Sequence, residues 1–130
     1  MREIKFRAWD KQFNEMASII CLNIGDYSED HILKTKSRPY TYNQQFHNIT
    51  LMQFTGLKDK NGKEIYEGDI LKINGFYDGL YNTLEVRWIK NGFKCVGLIN
   101  EKAVCETVYD YGFHEEIIGN IYENPELLEG

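Results

Sequence analysis

A chain of 130 residues, 42% apolar with nine Tyr, seven Phe and two Trp, has one domain's length and the side chains for a real core, which excludes two independent enzyme domains. The net charge of −5 is unevenly spread: residues 1–50 and 51–100 each carry seven basic and six acidic groups, whereas residues 101–130 carry one and eight. The acidic end repels phosphate and no apolar run reaches the roughly 18 residues of a spanning helix, so the chain argues against non-specific nucleic-acid binding and against a transmembrane segment.

The opening Glu3-Ile4-Lys5-Phe6-Arg7-Ala8-Trp9 alternates, with Ile4, Phe6 and Ala8 on one face, and predicts a half-buried strand. Asp10 to Asn14 supply turn formers, and Glu15 to Ile20 return as the second strand of a hairpin. Residues 21–47 show no sustained period and read as irregular, with one helical turn at Ser28 to Thr35 and a loop at Lys36 to Tyr40. Ile49 to Thr55, rich in β-branched and aromatic groups, is the next strand. Asn61-Gly62 predicts a two-residue hairpin turn with positive φ at both positions. Gly68-Asp69 predicts a sharp corner, the glycine permitting the change of direction and the carboxylate capping turn N–H groups, before the strand Ile70 to Ile73.

Downstream, Leu84, Val86 and Trp88 alternate with Glu85 and Arg87; Asn91-Gly92 is a turn; and the nearly continuous apolar run Phe93 to Ile99 reads as a central strand. Ala103 to Tyr109 and Glu116 to Tyr122 supply two more strands, and short strands with turns between them indicate a small barrel or sandwich. The apolar faces of Ile70 to Ile73, Leu84 to Trp88 and Phe93 to Ile99 are expected to fill it. Asn124 before Pro125 and Glu126 predicts a terminal helical turn over Pro125–Leu128, capped by the Asn side chain.

Four strings of this chain, MREIKFRAWD at 1–10, LMQFTGLKDKNGKEIYEGDI at 51–70, EVRW at 85–88 and IIGNIYENPELL at 117–128, resemble the YopX protein family of temperate phages and prophages. Residues 21–47 and 74–83 carry none of the resemblance. It implies a mainly β protein whose C-terminal half is an SH3-type barrel, self-association, and no assigned biochemical role, so no catalytic residue is carried over. The expected organisation is an N-terminal β-hairpin plus irregular segment at 1–55 and an SH3-type barrel with a C-terminal helical turn at 56–130, together one compact unit. Glu67-Gly68-Asp69-Ile70 followed by Val86-Arg87-Trp88 is similar to the start of many small SH3-type barrels, an architecture that serves nucleic-acid binders, peptide binders and scaffolds alike.

Candidate chemistry is sparse. His31, His47 and His114 stand alone in sequence, so no metal or other cofactor site is expected. Cys21, Cys95 and Cys105 are an odd number without CxxC spacing and no apolar run follows Met1-Arg2-Glu3, which predicts a reduced, cytoplasmic protein. Cys95 and Cys105 lie in apolar strand patterns and read as small buried hydrophobes. Glu64, Glu67 and Asp69 bring three carboxylates together, yet a corner cap and a solvated hairpin explain them better than acid-base chemistry, and no P-loop, GxGxxG, HExxH or GxSxG occurs.

One segment has nucleic-acid character: Lys34, Lys36 and Arg38 could neutralise phosphates and Tyr40 and Tyr42 could stack on bases, with Arg2, Lys5, Arg7 and Lys11 as an extension. A solvated loop is the competing reading. Trp9 and Phe13, and separately Phe76, Tyr77 and Tyr81, place aromatics off the expected core face or in loops, where contact surfaces form. The expected function is therefore that of a non-catalytic, homo-oligomeric binding or scaffold module of a phage or prophage, working in the bacterial cytoplasm on a phage or host protein. A nucleic-acid-binding module built on Lys34 to Tyr42 is the alternative, and an enzyme using a carboxylate or Cys-His site assembled in space, with Asp69 as the residue whose mutation tests it, is a third reading.

Overall fold

The computed structural model describes residues 3–21, 30–35, 42–73, 83–90, 92–99, 102–107 and 115–128. Among them run the strands β1 (Phe6–Asp10), β2 (Glu15–Cys21), β3 (Asp30–Thr35), β4 (Tyr42–Gln45), β5 (Ile49–Lys58), β6 (Glu64–Tyr66), β7 (Asp69–Ile73), β8 (Thr83–Ile89), β9 (Gly92–Ile99), β10 (Lys102–Thr107) and β11 (Glu115–Asn120). Two short 3-10 turns, η1 (Phe46–Asn48) and η2 (Pro125–Leu128), complete the described elements. The chain is mainly β, as its alternation and turn signals predict. It forms two compact units: Ile4–Gln53, and Phe54–Gly130 with Met1–Glu3.

In the first unit β1 pairs antiparallel with β2, giving the predicted N-terminal hairpin, and on its other side with the first half of β5. Ala8 and Ala17 face each other across the hairpin and cluster with Ile49, with Ile19 and Leu51 packed against them. The strand starts later than predicted: Ile4 lies before it and is 67% exposed. The turn is held by Asp10, a fully buried carboxylate whose Oδ1 accepts from the backbone N–H of Gln12 at 2.9 Å and of Phe13 at 3.1 Å. Asn14 completes the reversal with φ of 53°, a conformation Asn tolerates. Replacing Asp10 with Ala is expected to cost about 1–2 kcal/mol by leaving both amides without this acceptor; an unchanged thermal midpoint would contradict that role.

Residues 30–35 correct the expected helical turn. They form β3, which pairs with β2 on one side and β4 on the other. The segment 21–47 is thus partly strand, because the free edge of β2 offers a row of N–H and C=O groups that satisfies this backbone. Local propensity lacked that information, and a slip in the ladder between Ile19 and Cys21 further obscures the period.

In the second unit β7, β8, β9 and β10 form a meander and β11 returns to the outer side of β7, giving the order β10-β9-β8-β7-β11. β9 is an inner strand, as its continuous apolar run predicts. The core comprises Ile65, Leu71, Leu84, Val86 and Cys95, with Leu57 and Ile117 packed against it. The Gly68-Asp69 corner is as predicted: Gly68 has φ of 85°, its N–H donates to Val86 O at 2.8 Å, and its own carbonyl accepts from Ile121 N at 2.9 Å. Asp69, 1% exposed, accepts from Tyr66 N through Oδ2 at 2.8 Å. One residue pair thus ties β6, β7, β8 and the segment after β11 together.

The β5–β6 connection differs from the expected two-residue turn. Only Gly62, with φ of 81°, adopts positive φ there; Asn61 does not. Gly62 N donates to Asp59 O at 3.0 Å and Asp59 N to Lys63 O at 2.8 Å, which is a three-residue loop with glycine at its left-handed position. The reason is Asp59, whose side chain stabilises this longer turn. At β5 itself the pairing slips between Phe54 and Lys58, where Gly56 has φ of 90°. The Thr55 hydroxyl fills that gap, donating to Ile65 O at 2.8 Å and accepting from Leu57 N at 3.1 Å.

The C-terminal turn falls on Pro125–Leu128 as predicted, but its cap does not. Asn124 turns its side chain back, Oδ1 accepting from Asn120 N at 3.2 Å, while Asn124 O accepts the 3-10 bond from Leu127 N at 3.1 Å. Asn120 governs this corner: its Oδ1 accepts from Tyr122 N and Glu123 N at 3.0 and 2.9 Å, and its Nδ2 donates to Glu123 Oε1 at 2.9 Å.

Candidate functional site

The carboxylates singled out from the sequence are occupied within the fold. Asp69 holds the corner described above, and Glu64 Oε2 accepts from the Tyr66 hydroxyl at 3.2 Å, whose ring lies 5.5 Å from that of Phe54. Glu67 is half-buried beside the corner. Among the described residues, no three His, Cys, Asp or Glu side chains group in a way that could hold a metal ion.

The carboxylate the sequence reading passed over is Asp59. It is 4% exposed and accepts three backbone N–H groups: Asn61 and Lys63 on Oδ1, both at 2.9 Å, and Ile117 of β11 on Oδ2 at 3.0 Å. Burial alone would raise its pKa; the hydrogen bonds from Ile117, Lys63 and Asn61, with the charge of Lys63, outweigh burial and hold the carboxyl below its usual value. On the surface above, Glu116 accepts from Lys60 Nζ and Asn61 Nδ2, both at 3.4 Å. A carboxylate saturated in this way is a clasp between the β5–β6 hairpin and β11, and has little basicity left for proton transfer. The Asp-x-Asn-Gly spacing was the available signal, since an Asp side chain commonly accepts from the backbone N–H two residues on and so caps its own turn.

Cys95 is buried in the core, as expected. The side chains of Cys21 and Cys105, and those of His31, Lys34 and Tyr42, lie outside the described residues, although the backbones of all five belong to strands. Lys36, Arg38, Tyr40, Phe76, Tyr77, Tyr81 and His114 also lie outside the described residues. His47 is exposed in η1. Trp9 is half-buried in β1 opposite Met16 and Thr50, and Phe13 is 38% exposed in the hairpin turn.

Among the described residues of the second unit, the most accessible aromatic is one that the alternation assigns to the core. Trp88 shares the face of Leu84 and Val86, which are buried, yet it is 49% exposed. It stands at the end of β8, one residue pair from the turn where Lys90 has φ of 59°. Phe93, directly opposite, meets it edge to face with ring centroids 4.9 Å apart. That contact orients the indole while leaving it open to solvent. On the other face of β8, Arg87 binds Glu85 through two bonds, Nε to Oε2 at 2.7 Å and Nη2 to Oε1 at 2.9 Å, which explains how Glu85 stays buried within a charged pair. No helix among the described residues is long and apolar enough to cross a membrane.

Comparison with known proteins places this arrangement in a lineage. The sequence profile of the YopX protein family matches residues 5–129. The crystal structure of protein EF1440 from Enterococcus faecalis is similar, with 27% identity, a TM-score of 0.57, and coverage of 99% of this chain and all of that one (100%). The X-ray structure of protein yopX from Bacillus subtilis is similar at 26% identity and a TM-score of 0.57, over 100% of this chain and 98% of that one. None of the curated proteins compared matches. With a match across nearly its whole length, this chain belongs to the YopX protein family.

Proposed function

We propose that this chain is a non-catalytic, homo-oligomeric β module of phage or prophage origin, working in the bacterial cytoplasm by binding rather than by chemistry. The observation that carries the reading is Trp88: a large aromatic side chain, oriented by Phe93 and half open to solvent although Leu84 and Val86 on the same face are buried. Aromatics of this kind are enriched where protein surfaces meet. The conclusion that Asp59, Asp69 and Glu64 serve the fold supports a binding role over the enzyme reading. The second unit is read as an SH3-type barrel, which the return of β11 to pair with β7, the first strand of the meander, supports.

Light scattering on a sizing column tests the proposal. The expected mass is a discrete multiple of 15.3 kDa that persists on moderate dilution. A single-chain mass across micromolar concentrations would remove the oligomer.

A further inference from the structure

The sequence contains three Asn-Gly pairs, Asn61-Gly62, Asn74-Gly75 and Asn91-Gly92. This dipeptide is especially open to spontaneous deamidation, because a glycine nitrogen, with no Cβ beside it, can approach the amide of the preceding side chain. Asn61 and Gly62 are both exposed, yet the turn they form is held at three points. Gly62 N donates to Asp59 O at 3.0 Å, Asn61 N donates to Asp59 Oδ1 at 2.9 Å, and Asn61 Nδ2 donates to Glu116 Oε1 at 3.4 Å. The nitrogen that would attack and the amide that would leave are therefore both engaged, and Asp59, which holds the first, is itself anchored on Ile117 of β11.

We propose that Asn61 is a covalent modification site gated by the Asp59 clasp: it deamidates when the clasp opens, and the product keeps the clasp from closing again. In the reaction Gly62 N gives up its proton to solvent base and bonds to Asn61 Cγ, the Cγ–Nδ2 bond breaks, and Nδ2 leaves as ammonia. Water then opens the cyclic imide by cleaving one of its two bonds to the ring nitrogen, and no oxidant or reductant takes part. While the clasp is closed the Gly62 proton is committed to Asp59 O, so removing it costs that hydrogen bond as well. Cleavage at the α-carbonyl of residue 61 routes the backbone through the former side chain. It adds a backbone carbon between Asn61 N and Lys63 N, the two groups that Asp59 Oδ1 gathers, and so spoils their register on one oxygen. Cleavage at Cγ leaves the backbone as it was but sets a carboxylate against Glu116 where an N–H donor stood. Both products weaken the hold of the β5–β6 hairpin on β11.

The experiment is timed incubation of the full-length wild type, Asp59→Ala and Glu116→Ala at neutral pH, with tandem mass spectrometry locating deamidation at each Asn-Gly pair. Asn61 is expected to react about tenfold faster in Asp59→Ala than in wild type, a factor within reach of losing the acceptor of three backbone N–H groups. Asn74 and Asn91 are the internal control and should keep their wild-type rates. Glu116→Ala changes a side chain that is 40% exposed and leaves the Asp59 bonds in place, so it tests the gate without threatening the fold. It is expected to accelerate Asn61 alone by about threefold, the worth of one exposed hydrogen bond. An Asn61 rate equal in all three chains would overturn the gate, as would acceleration of all three pairs together in Asp59→Ala with no change at Asn61 in Glu116→Ala. Wild type deamidated at Asn61, separated by ion exchange, should unfold at a lower temperature than the unreacted chain, and an equal midpoint would overturn the claim that the product holds the clasp open.

Discussion

Asp59→Asn is expected to destabilise the protein by about 3 kcal/mol near neutral pH, although the change removes one charge and almost no volume. Both carboxylate oxygens of Asp59 are acceptors, Oδ1 for two N–H groups and Oδ2 for one. An amide must turn its NH₂ toward either the hairpin turn or Ile117 N, so at least one buried N–H then faces another donor. The pH dependence follows from the direction of the shift. The carboxyl is held below its ordinary value in the folded chain, so its contribution is fully present above the unfolded pKa of about 4 and is lost as the pH falls through the lower folded value. Urea unfolding should therefore show a gap between wild type and variant that is full near neutrality and narrows at strongly acidic pH. A gap independent of pH would mean that the carboxylate's charge is irrelevant and only its shape matters.

Gly119→Ala is expected to cost about 2–3 kcal/mol, more than a glycine inside a strand usually commands. Gly119 is not at positive φ; the constraint is space. A methyl group built there would lie 2.5 Å from Asn124 Oδ1, 2.8 Å from its Cγ and 2.9 Å from its Cβ. The last distance matters most, because moving a Cβ means moving the backbone of the residue before Pro125. Displacing Asn124 also breaks its bond to Asn120 N and loosens the loop that Asn120 organises. Thermal unfolding measures the loss. Gly119→Ala with Asn124→Gly should recover part of it, since the second change removes the obstructing atoms; a Gly119→Ala chain as stable as wild type would show that the corner adjusts freely.

How far the sequence anticipates the fold depends on how local the deciding interactions are. The β1–β2 hairpin, the Gly68-Asp69 corner and the limits of η2 were legible because a few neighbouring residues determine each: an alternation, a glycine with a carboxylate, a proline with acids behind it. β3 was not legible, because its strand state depends on an edge of β2 that is distant in composition and slipped in register. Asn61-Gly62 misled for a related reason. The pair fits a two-residue turn in isolation, but Asp59 is anchored from β11, 58 residues along the chain, and selects the longer loop. Trp88 is the instructive case for function. Alternation correctly places it on the core face, and no periodicity reveals where the core ends; Leu84 and Val86 are covered, and the next residue on that face is not. The nucleic-acid alternative built on Lys34 to Tyr42 depends on side chains that all lie outside the described residues.

The central claim is that a second copy of the chain covers Trp88, and the chain's two tryptophans allow a direct test. In a Trp9→Phe variant the emission reports Trp88 alone. Diluting that variant through the dissociation range should shift its emission to the red and increase its quenching by acrylamide, as a half-exposed indole loses its partner. Emission and quenching that stay constant while light scattering shows the mass falling to one chain would contradict the account, placing the association elsewhere on the molecule.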